Sequence, residues 1–312
     1  MAVLTLSAAV GCEFNQASES MMTVTDASTD GGLADTGVPM AEDVCLAAIS
    51  VQCAVFTDAY LKAAVPGEMD SFGQAVALSG DLAVIGAPNE DGNGVAENDD
   101  SLASSGAVYV FQRSAGEWSQ VQYVKASNVE ANDLFGSAVA LDGDTFAVGA
   151  SLEDSASQTI NGDQDNNNAT FAGAVFVYTS TGGAFHQQAY LKASNSAPNS
   201  RFGEAVALEG DLLAVAAPFE ATATTGIDNF SEDRTAFGSG AVYVFRRDGT
   251  QWLQEAFIKA SNADRGDGFG ESLALAGDVL IVGAPDESSA STGGNGPEDN
   301  DDLIRSGAVY VF

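Results

Sequence analysis

Positively charged side chains are scarce in this sequence. Lys and Arg together number 11 against 44 Asp and Glu, so the formal net charge of the 312 residues is −33. A surface this negative repels phosphate backbones and anionic lipid headgroups. This excludes nucleic acid as a partner and limits membrane attachment to a lipid anchor. The charge favours cations or basic protein surfaces as partners, or a salt-rich medium as the surroundings.

Histidine, cysteine and the common catalytic patterns are rare or missing. His186 is the only histidine, and the sequence contains neither a Gly-x-Ser-x-Gly elbow nor a phosphate-binding Gly-Lys-Ser/Thr loop. The three cysteines have no nearby histidines, which disfavours a zinc site. We therefore predict a protein without catalytic activity. The alternative is a hydrolase or lyase that uses carboxylates and a metal ion.

Long apolar runs are also missing, and only the N-terminus carries a short one. Residues 2–10 are too few to span a bilayer as a helix, and Gly11-Cys12 follows them. Small residues before a cysteine resemble a bacterial lipobox, although the usual basic residues are absent. Residues 1–12 are therefore interpreted as an export signal with lipidation at Cys12, which predicts a cell-surface, outer-membrane or extracellular location. An ordinary secretory signal is the alternative.

Residues 13–56 are rich in small and polar residues and show little periodicity, which is typical of a flexible tether. Cys45 and Cys53 lie within this segment. Export would place them in an oxidising compartment, and lipidation of Cys12 would leave them as an even pair. We predict a disulfide between Cys45 and Cys53.

The strongest pattern is an internal repeat. Phe-Gly recurs at steps of 63, 67 and 67 residues. Each Phe-Gly is followed by a Gly-Ala-Pro-like segment (86–88, 149–151, 216–218 and 283–285) and then by Gly-Ala-Val-aromatic, which begins at residues 106, 173, 240 and 307. The Phe-Gly pairs are Phe72-Gly73, Phe135-Gly136, Phe202-Gly203 and Phe269-Gly270.

The combination of Phe-Gly with Gly-Ala-Pro resembles the FG-GAP repeat family, best known from the head of integrin α-subunits. The resemblance covers residues 57–312. It implies an all-β fold, a β-propeller of four-stranded antiparallel blades, with seven blades as the usual number. It also implies a cell-adhesion type of function, in which one face of the propeller binds a protein or glycan ligand. A purely structural adhesin component is an alternative.

The residues independently predict four short strands in each repeat. In the first repeat these are 71–79, 82–87, 107–113 and 118–126, with Gly80-Asp81 as a hairpin turn. Nearly continuous apolar runs predict strands that are covered on both faces, as in blades packed face to face. A β-solenoid and a β-sandwich are the alternative folds.

The repeat begins and ends out of phase with the blades. Residues 59–63 match 189–193, a predicted fourth strand, and 308–312 match a third strand. Pairing of 59–63 with 308–312 would complete four blades and remove exposed edges. A fragment of a seven-bladed propeller is the other interpretation, and it is the one that we favour. We expect a monomer.

Long polar connections follow the second strand of each repeat, and we predict that they form the ligand-binding face. Calcium is a candidate cofactor. In integrin-type repeats a calcium-binding loop lies between the first and second strands. In this sequence a short Gly-Asp turn occupies that position, so the family's calcium ligands cannot be assigned to residues of this chain. Clustered oxygens suit Ca²⁺, whereas the alternative is a solvated acidic surface. The candidate ligands in the long loops are Asn161, Asp163, Asp165, Asp299, Asp301 and Asp302.

Lysine and glutamate recur at fixed repeat positions. All four lysines precede an alanine at the end of a predicted fourth strand: Lys62, Lys125, Lys192 and Lys259. A glutamate lies two residues beyond each Gly-Ala-Pro-like segment: Glu90, Glu153, Glu220 and Glu287. We predict structural ion pairs at a partly exposed rim, each worth ~0–1 kcal/mol. A ring of metal ligands is the alternative.

Overall fold

A computed structural model describes residues 59–294, 296 and 300–312. The chain divides into two units, Met1–Val55 and Phe56–Phe312, and the described residues all belong to the second. The predicted lipidation of Cys12 and the predicted Cys45–Cys53 disulfide lie outside the described residues. Within the described ranges, no helix has the length and apolar character needed to cross a membrane.

The fold is all-β, a β-propeller with one antiparallel blade for each repeat, as predicted. The first two blades have four strands each: β1 (Ala75–Ser79), β2 (Leu82–Ala87), β3 (Ala107–Ser114), β4 (Glu117–Val124), then β5 (Phe135–Asp142), β6 (Thr145–Ala150), β7 (Ala174–Thr181), β8 (Ala184–Leu191). The third blade has five: β9 (Val206–Glu209), β10 (Leu212–Ala217), β11 (Gly226–Ile227), β12 (Ala241–Asp248), β13 (Gln251–Lys259). The described part of the fourth has three: β14 (Ser272–Ala276), β15 (Val279–Ala284), β16 (Ala308–Val311).

Local chemistry sets the strand ends. The Gly-Asp turns connect the first and second strands of each blade, and the turn glycines Gly80 and Gly143 have φ values of 57° and 56°. Such left-handed turns match the twist of a tight hairpin. The second strands of the second and third blades, β6 and β10, are almost fully buried because a neighbouring blade covers each face, as the continuous apolar runs predicted. In β15 of the fourth blade, buried residues are interspersed with exposed ones.

The Phe-Gly motif joins successive blades. Phe135, Phe202 and Phe269 are at most 1% exposed, and each belongs to an apolar cluster shared with the preceding blade. A Cβ on Gly136 would lie 2.5 Å from the carbonyl oxygen of Ala107 in the first blade, so only glycine permits this approach. The predicted burial of these three phenylalanines is confirmed, whereas Phe72 is only half-buried because no described blade precedes it.

The pairing of 59–63 with 308–312 that would complete four blades is not formed. Residues 59–63 are not a strand, and β16 pairs only with β15 among the described strands. Instead, Ala63 packs with Ile85 and Tyr109 of the first blade, and the Ala64 N–H donates to Gln120 Oε1 at 2.8 Å. The segment therefore sits against the blade that follows it, as 189–193 does against the third blade.

Candidate functional site

The candidate site is the end of the propeller that carries the long connections after the second strands. We call this end the loop face, and it consists of residues 88–106, 151–173, 218–240 and the described part of 285–307. The positions agree with the predicted loops. Each loop leaves the blade beside a recurring glutamate and returns at a glycine with positive φ, such as Gly106 (81°) or Gly173 (82°).

A buried lysine joins the two ends of the second loop. Lys192 Nζ donates to Glu153 Oε2 at 2.8 Å and to the Gly173 carbonyl oxygen at 2.7 Å. The Gly173 N–H in turn donates to the Glu153 carbonyl oxygen at 2.8 Å. Glu153 begins the loop and Gly173 ends it, so the ion pair holds the base of the loop closed.

The first and third loops repeat this arrangement. Lys125 pairs with Glu90, and Lys259 pairs with Glu220 at 2.9 Å. Both lysines also donate, at 2.7 Å, to a serine hydroxyl at the loop's end, Ser105 or Ser239. The predicted ion pairs are thus confirmed in three repeats.

The expectation of a partly exposed rim is wrong for these pairs. The lysine and glutamate side chains are no more than 5% exposed in all three, because the loop and the next blade cover them. Burial lowers the pKa of each of the three lysines, and its glutamate opposes that shift. The surface value of ~0–1 kcal/mol does not apply to groups so removed from water.

Two further side chains, which the sequence had not singled out, hydrogen-bond Glu153. Tyr190 Oη donates to Glu153 Oε1 at 2.8 Å, and Asn128 Nδ2 donates to the same atom at 3.1 Å. The tyrosine lies two residues before the repeat lysine and the asparagine three residues after one. Each residue type recurs at three of the four repeat positions, tyrosine at 60, 123 and 190 and asparagine at 128, 195 and 262, so a search at the repeat spacing finds them. With these donors in place, Glu153 supports the base of its loop.

The structure distributes the calcium candidates among local contacts. Asn161 accepts a hydrogen bond from the Tyr190 N–H at 2.9 Å through its side chain, and Asp163 accepts one from the Asp165 N–H at 3.1 Å. Asp301 and Asp302 are exposed, whereas Asp299 lies outside the described residues. Across the part of the chain that the structure describes, no group of three or more His, Cys, Asp or Glu could hold a metal ion.

Asp133 is a buried acid that the sequence analysis did not single out. It is 5% exposed, and burial raises its pKa to about 8, with repulsion from Glu153, Glu130 and Asp154 adding to the shift. The sequence signal is an aspartate two residues before the Phe of Phe-Gly, which recurs at Asp70, Asp133 and Asp267.

Asp133→Asn should change how stability depends on pH. The folded-state pKa lies above the ordinary value of 3.8, so the folded chain holds a proton that the unfolded chain loses. Stability from this group is therefore present at low pH and lost as pH rises towards about 8. Between pH 6 and 8 the free energy of unfolding of the unmodified chain should fall by about 2 kcal/mol relative to that of Asp133→Asn. Urea unfolding at each pH measures this, with the exposed Asp165→Asn as control. Parallel profiles for the unmodified chain and Asp133→Asn would contradict it.

Large apolar side chains are exposed on the loop face beside its acids. Val95, Phe230, Phe237 and Ile304 are 86%, 51%, 44% and 82% exposed. A cleft of about 330 Å³ opens between loops of the second and third blades and is lined by Gln158, Ser194, Asn195, Phe230, Ser231, Glu232 and Arg234. The loop face thus combines acidic side chains, exposed apolar side chains and a cleft, and buried ion pairs hold the bases of its first three loops.

Comparison with known families agrees with this architecture. The model of the FG-GAP repeat matches residues 57–111, 118–178, 185–245 and 252–312, which is more than half of the chain. The matches end on β3, β7 and β12 and one residue beyond β16, so the family's repeat begins with the last strand of one blade and ends within the next blade. No curated protein matches the chain. FG-GAP repeats typically occur in extracellular or exported proteins, and this chain belongs to the FG-GAP repeat family.

Proposed function

We propose that this protein is a non-catalytic interaction module of the cell surface, which presents its loop face to a protein or glycan ligand. The observation that carries the proposal is the exposure of Phe230, Phe237 and Ile304 among acidic side chains on that face. Interface centres favour aromatic anchors, and acids at their rim steer a basic partner. The apolar anchors favour a protein ligand over a glycan.

Buried supports make this surface suitable for binding. Loops of this length normally lose conformational entropy when a ligand fixes them. The Lys192–Glu153 pair and its counterparts already fix the loop bases, so less ordering is needed on binding. Lipidation of Cys12, followed by the tether of 13–56, would hold the module at the membrane with its loops free to meet a partner.

Among the described residues no group of three or more His, Cys, Asp or Glu could hold a metal ion, and Asn161 Oδ1 accepts the Tyr190 N–H. We therefore assign the affinity of the loop face to direct contacts from its acids and apolar side chains. A calcium contribution is included as one arm of the experiment below.

The full-length chain should be screened against a phage-displayed peptide library and a glycan array. We expect enriched peptides that combine Lys or Arg with an aromatic or aliphatic residue. Phe230→Ser with Phe237→Ser should weaken binding of the selected peptides roughly tenfold or more, because each removes an interface anchor.

Leu253→Ser provides a matched control. Leu253 is 61% exposed on β13 and lies six residues before Lys259, about 20 Å from the loop face. It should leave the affinity unchanged. Equal losses in both variants, or no enrichment in either library, would contradict the proposal. Titrations in millimolar calcium and magnesium at constant ionic strength should give equal affinities, whereas a gain in calcium alone would assign that ion a part.

A further inference from the structure

Two backbone positions at each junction between blades have positive φ. One lies two residues before the glycine that ends a long loop, and the other directly precedes the Phe of the next Phe-Gly. The N–H of the second position donates to the carbonyl oxygen of the first at all three junctions. From the first junction to the third, the pairs are Ser104 with Leu134, Phe171 with Arg201, and Gly238 with Gly268.

Glycine fits both positions, yet the junction of the second and third blades has large side chains at both. Gly238 and Gly268 have φ values of 75° and 67°, and their bond is 2.9 Å long. Phe171 and Arg201 have φ values of 57° and 53°, and their bond is 3.0 Å long. A side chain with positive φ costs free energy that glycine does not. Such strain points to a role for the side chains of Phe171 and Arg201.

The Arg201 side chain is stacked on an aromatic ring. Its Cζ lies 4.5 Å from the ring centroid of Phe219, and Phe219 packs beside Phe237 with centroids at 6.1 Å. Phe171 and Phe237 are 37% and 44% exposed. We call Phe171, Arg201, Phe219 and Phe237 the Arg201 patch. The five N–H donors of a guanidinium lie in its plane, so stacking covers a face of the group and not its donors.

Arg201 also differs from most arginines of the chain in its electrostatic partners. Five of the seven arginines form a salt bridge: Arg113, Arg234, Arg246, Arg247 and Arg305. Among the described residues, Arg201 forms none. In a chain with 44 acidic residues, a guanidinium that is held by stacking but not paired is suited to an acid from outside the chain.

The nearest alternative role is neutralisation of acids at the same junctions. Burial and the charges of Glu204 and Asp286 raise the pKa of Glu271, and Arg201 opposes that shift. Neither Glu204 nor Glu271 forms a salt bridge with Arg201, whereas Arg305 pairs with Asp286 at 2.6 Å. An arginine that served only these acids would pair with one of them in the same way. The Arg201 guanidinium lies on Phe219 instead.

We propose that the Arg201 patch binds a carboxylate side chain of a protein ligand, with an apolar neighbour of that acid packed against Phe171 and Phe237. The inference rests on the proposed function, and it adds that the partner carries an acidic residue among its basic ones. A planar guanidinium binds a carboxylate through two parallel hydrogen bonds. The exposed phenylalanines favour a protein over a sugar acid, because they offer apolar area beside the charge.

This contact would fix the orientation of the ligand. The acids of the loop face attract a basic surface without selecting how it docks. The Arg201 patch repels a cation and accepts an anion at one place, so a ligand with one acid at the right position is preferred. Complementary charges of both signs set the register of an interface and exclude partners that are basic throughout.

A peptide array tests the sign of the charge that the patch prefers. Each sequence combines Lys or Arg with a Phe, is synthesised with Glu, Gln or Lys next to that Phe, and is probed with full-length chains. Sequences that bind the unmodified chain should bind at least about tenfold more tightly with Glu than with Gln. Arg201→Gly should abolish this preference, and Arg201→Glu should reverse it in favour of Lys.

Two controls separate the patch from a structural role. Arg201→Gly keeps the backbone that Gly268 shows at the equivalent position, so its midpoint of urea unfolding should equal or exceed that of the unmodified chain. A lower midpoint with an unchanged preference for Glu would assign Arg201 to Glu204 and Glu271 and overturn the proposal. Arg265→Glu, the same change at an exposed arginine outside the patch, should keep the preference for Glu.

The remaining outcomes distinguish this proposal from the proposed function. Equal affinities for the Glu, Gln and Lys peptides in every chain would overturn the carboxylate site, while a loss of binding in Phe230→Ser would still support the loop face as an interaction surface. The absence of any bound peptide would contradict both. A glucuronate-bearing glycan that binds the unmodified chain but not Arg201→Gly, where no peptide shows the preference for Glu, would overturn the assignment to a protein ligand.

Discussion

Phe202→Ala is expected to lower the free energy of unfolding by about 3–5 kcal/mol. Phe202 is 1% exposed and meets Tyr243 and Phe245 edge to face, with ring centroids at 5.3 and 6.0 Å. It lies in the cluster shared by the second and third blades. The backbone around it is fixed by the close approach of Gly203 to Gly149, so the blades cannot collapse into the space that the ring leaves.

Phe72→Ala supplies the matched comparison. Phe72 holds the same motif position and contacts Tyr109 at 5.3 Å in the same geometry, but it is half-buried. Phe72→Ala should lower the free energy of unfolding by less, about 1–2 kcal/mol, because water already reaches part of the ring. Denaturant unfolding of both variants gives the values. A loss below about 1 kcal/mol for Phe202→Ala, or equal losses in the pair, would contradict the assignment of Phe-Gly to the blade interface.

The repeat pattern was sufficient to predict the strands and the lysine–glutamate pairs, because each rests on residues that recur at fixed spacing. The second strand of the first repeat, 82–87, was predicted with the bounds that β2 has. Alternation and turn chemistry act locally, so a strand's limits can be identified from a few residues. The burial of Phe135 and Phe202 was likewise predictable from the Phe-Gly motif alone.

Properties that arise from several blades together were not predictable in this way. The burial of Lys192 depends on where a loop of more than twenty residues folds back, and nothing local encodes that. Asn161 hydrogen-bonds the backbone of β8 and β11 pairs with β13, and both Asn161 and β11 lie in those long loops. The raised pKa of Asp133 depends on its burial and on acids such as Glu153 that the fold brings close to it.

Lys192→Met is expected to cost about 3–5 kcal/mol of unfolding free energy, because it removes one partner of a buried ion pair. The Lys192 and Glu153 side chains are 0% and 1% exposed. Methionine fills a similar volume without an ammonium group. Glu153 Oε2 and the Gly173 carbonyl oxygen, both of which accept from Lys192, would lose that donor inside the protein.

The double variant Lys192→Met with Glu153→Gln separates the charge from the packing. The glutamine still accepts hydrogen bonds from Tyr190 Oη and Asn128, but no uncompensated charge remains. It should recover more than half of the lost stability, since replacement of both charges is often close to neutral. Arg246→Met, which breaks the exposed pair with Glu255 at 2.8 Å, should cost less than about 1 kcal/mol. Chemical denaturation of the three variants measures these differences. If Lys192→Met costs no more than Arg246→Met, the pair is not sealed from water, and the loop bases are not held as the structure shows them.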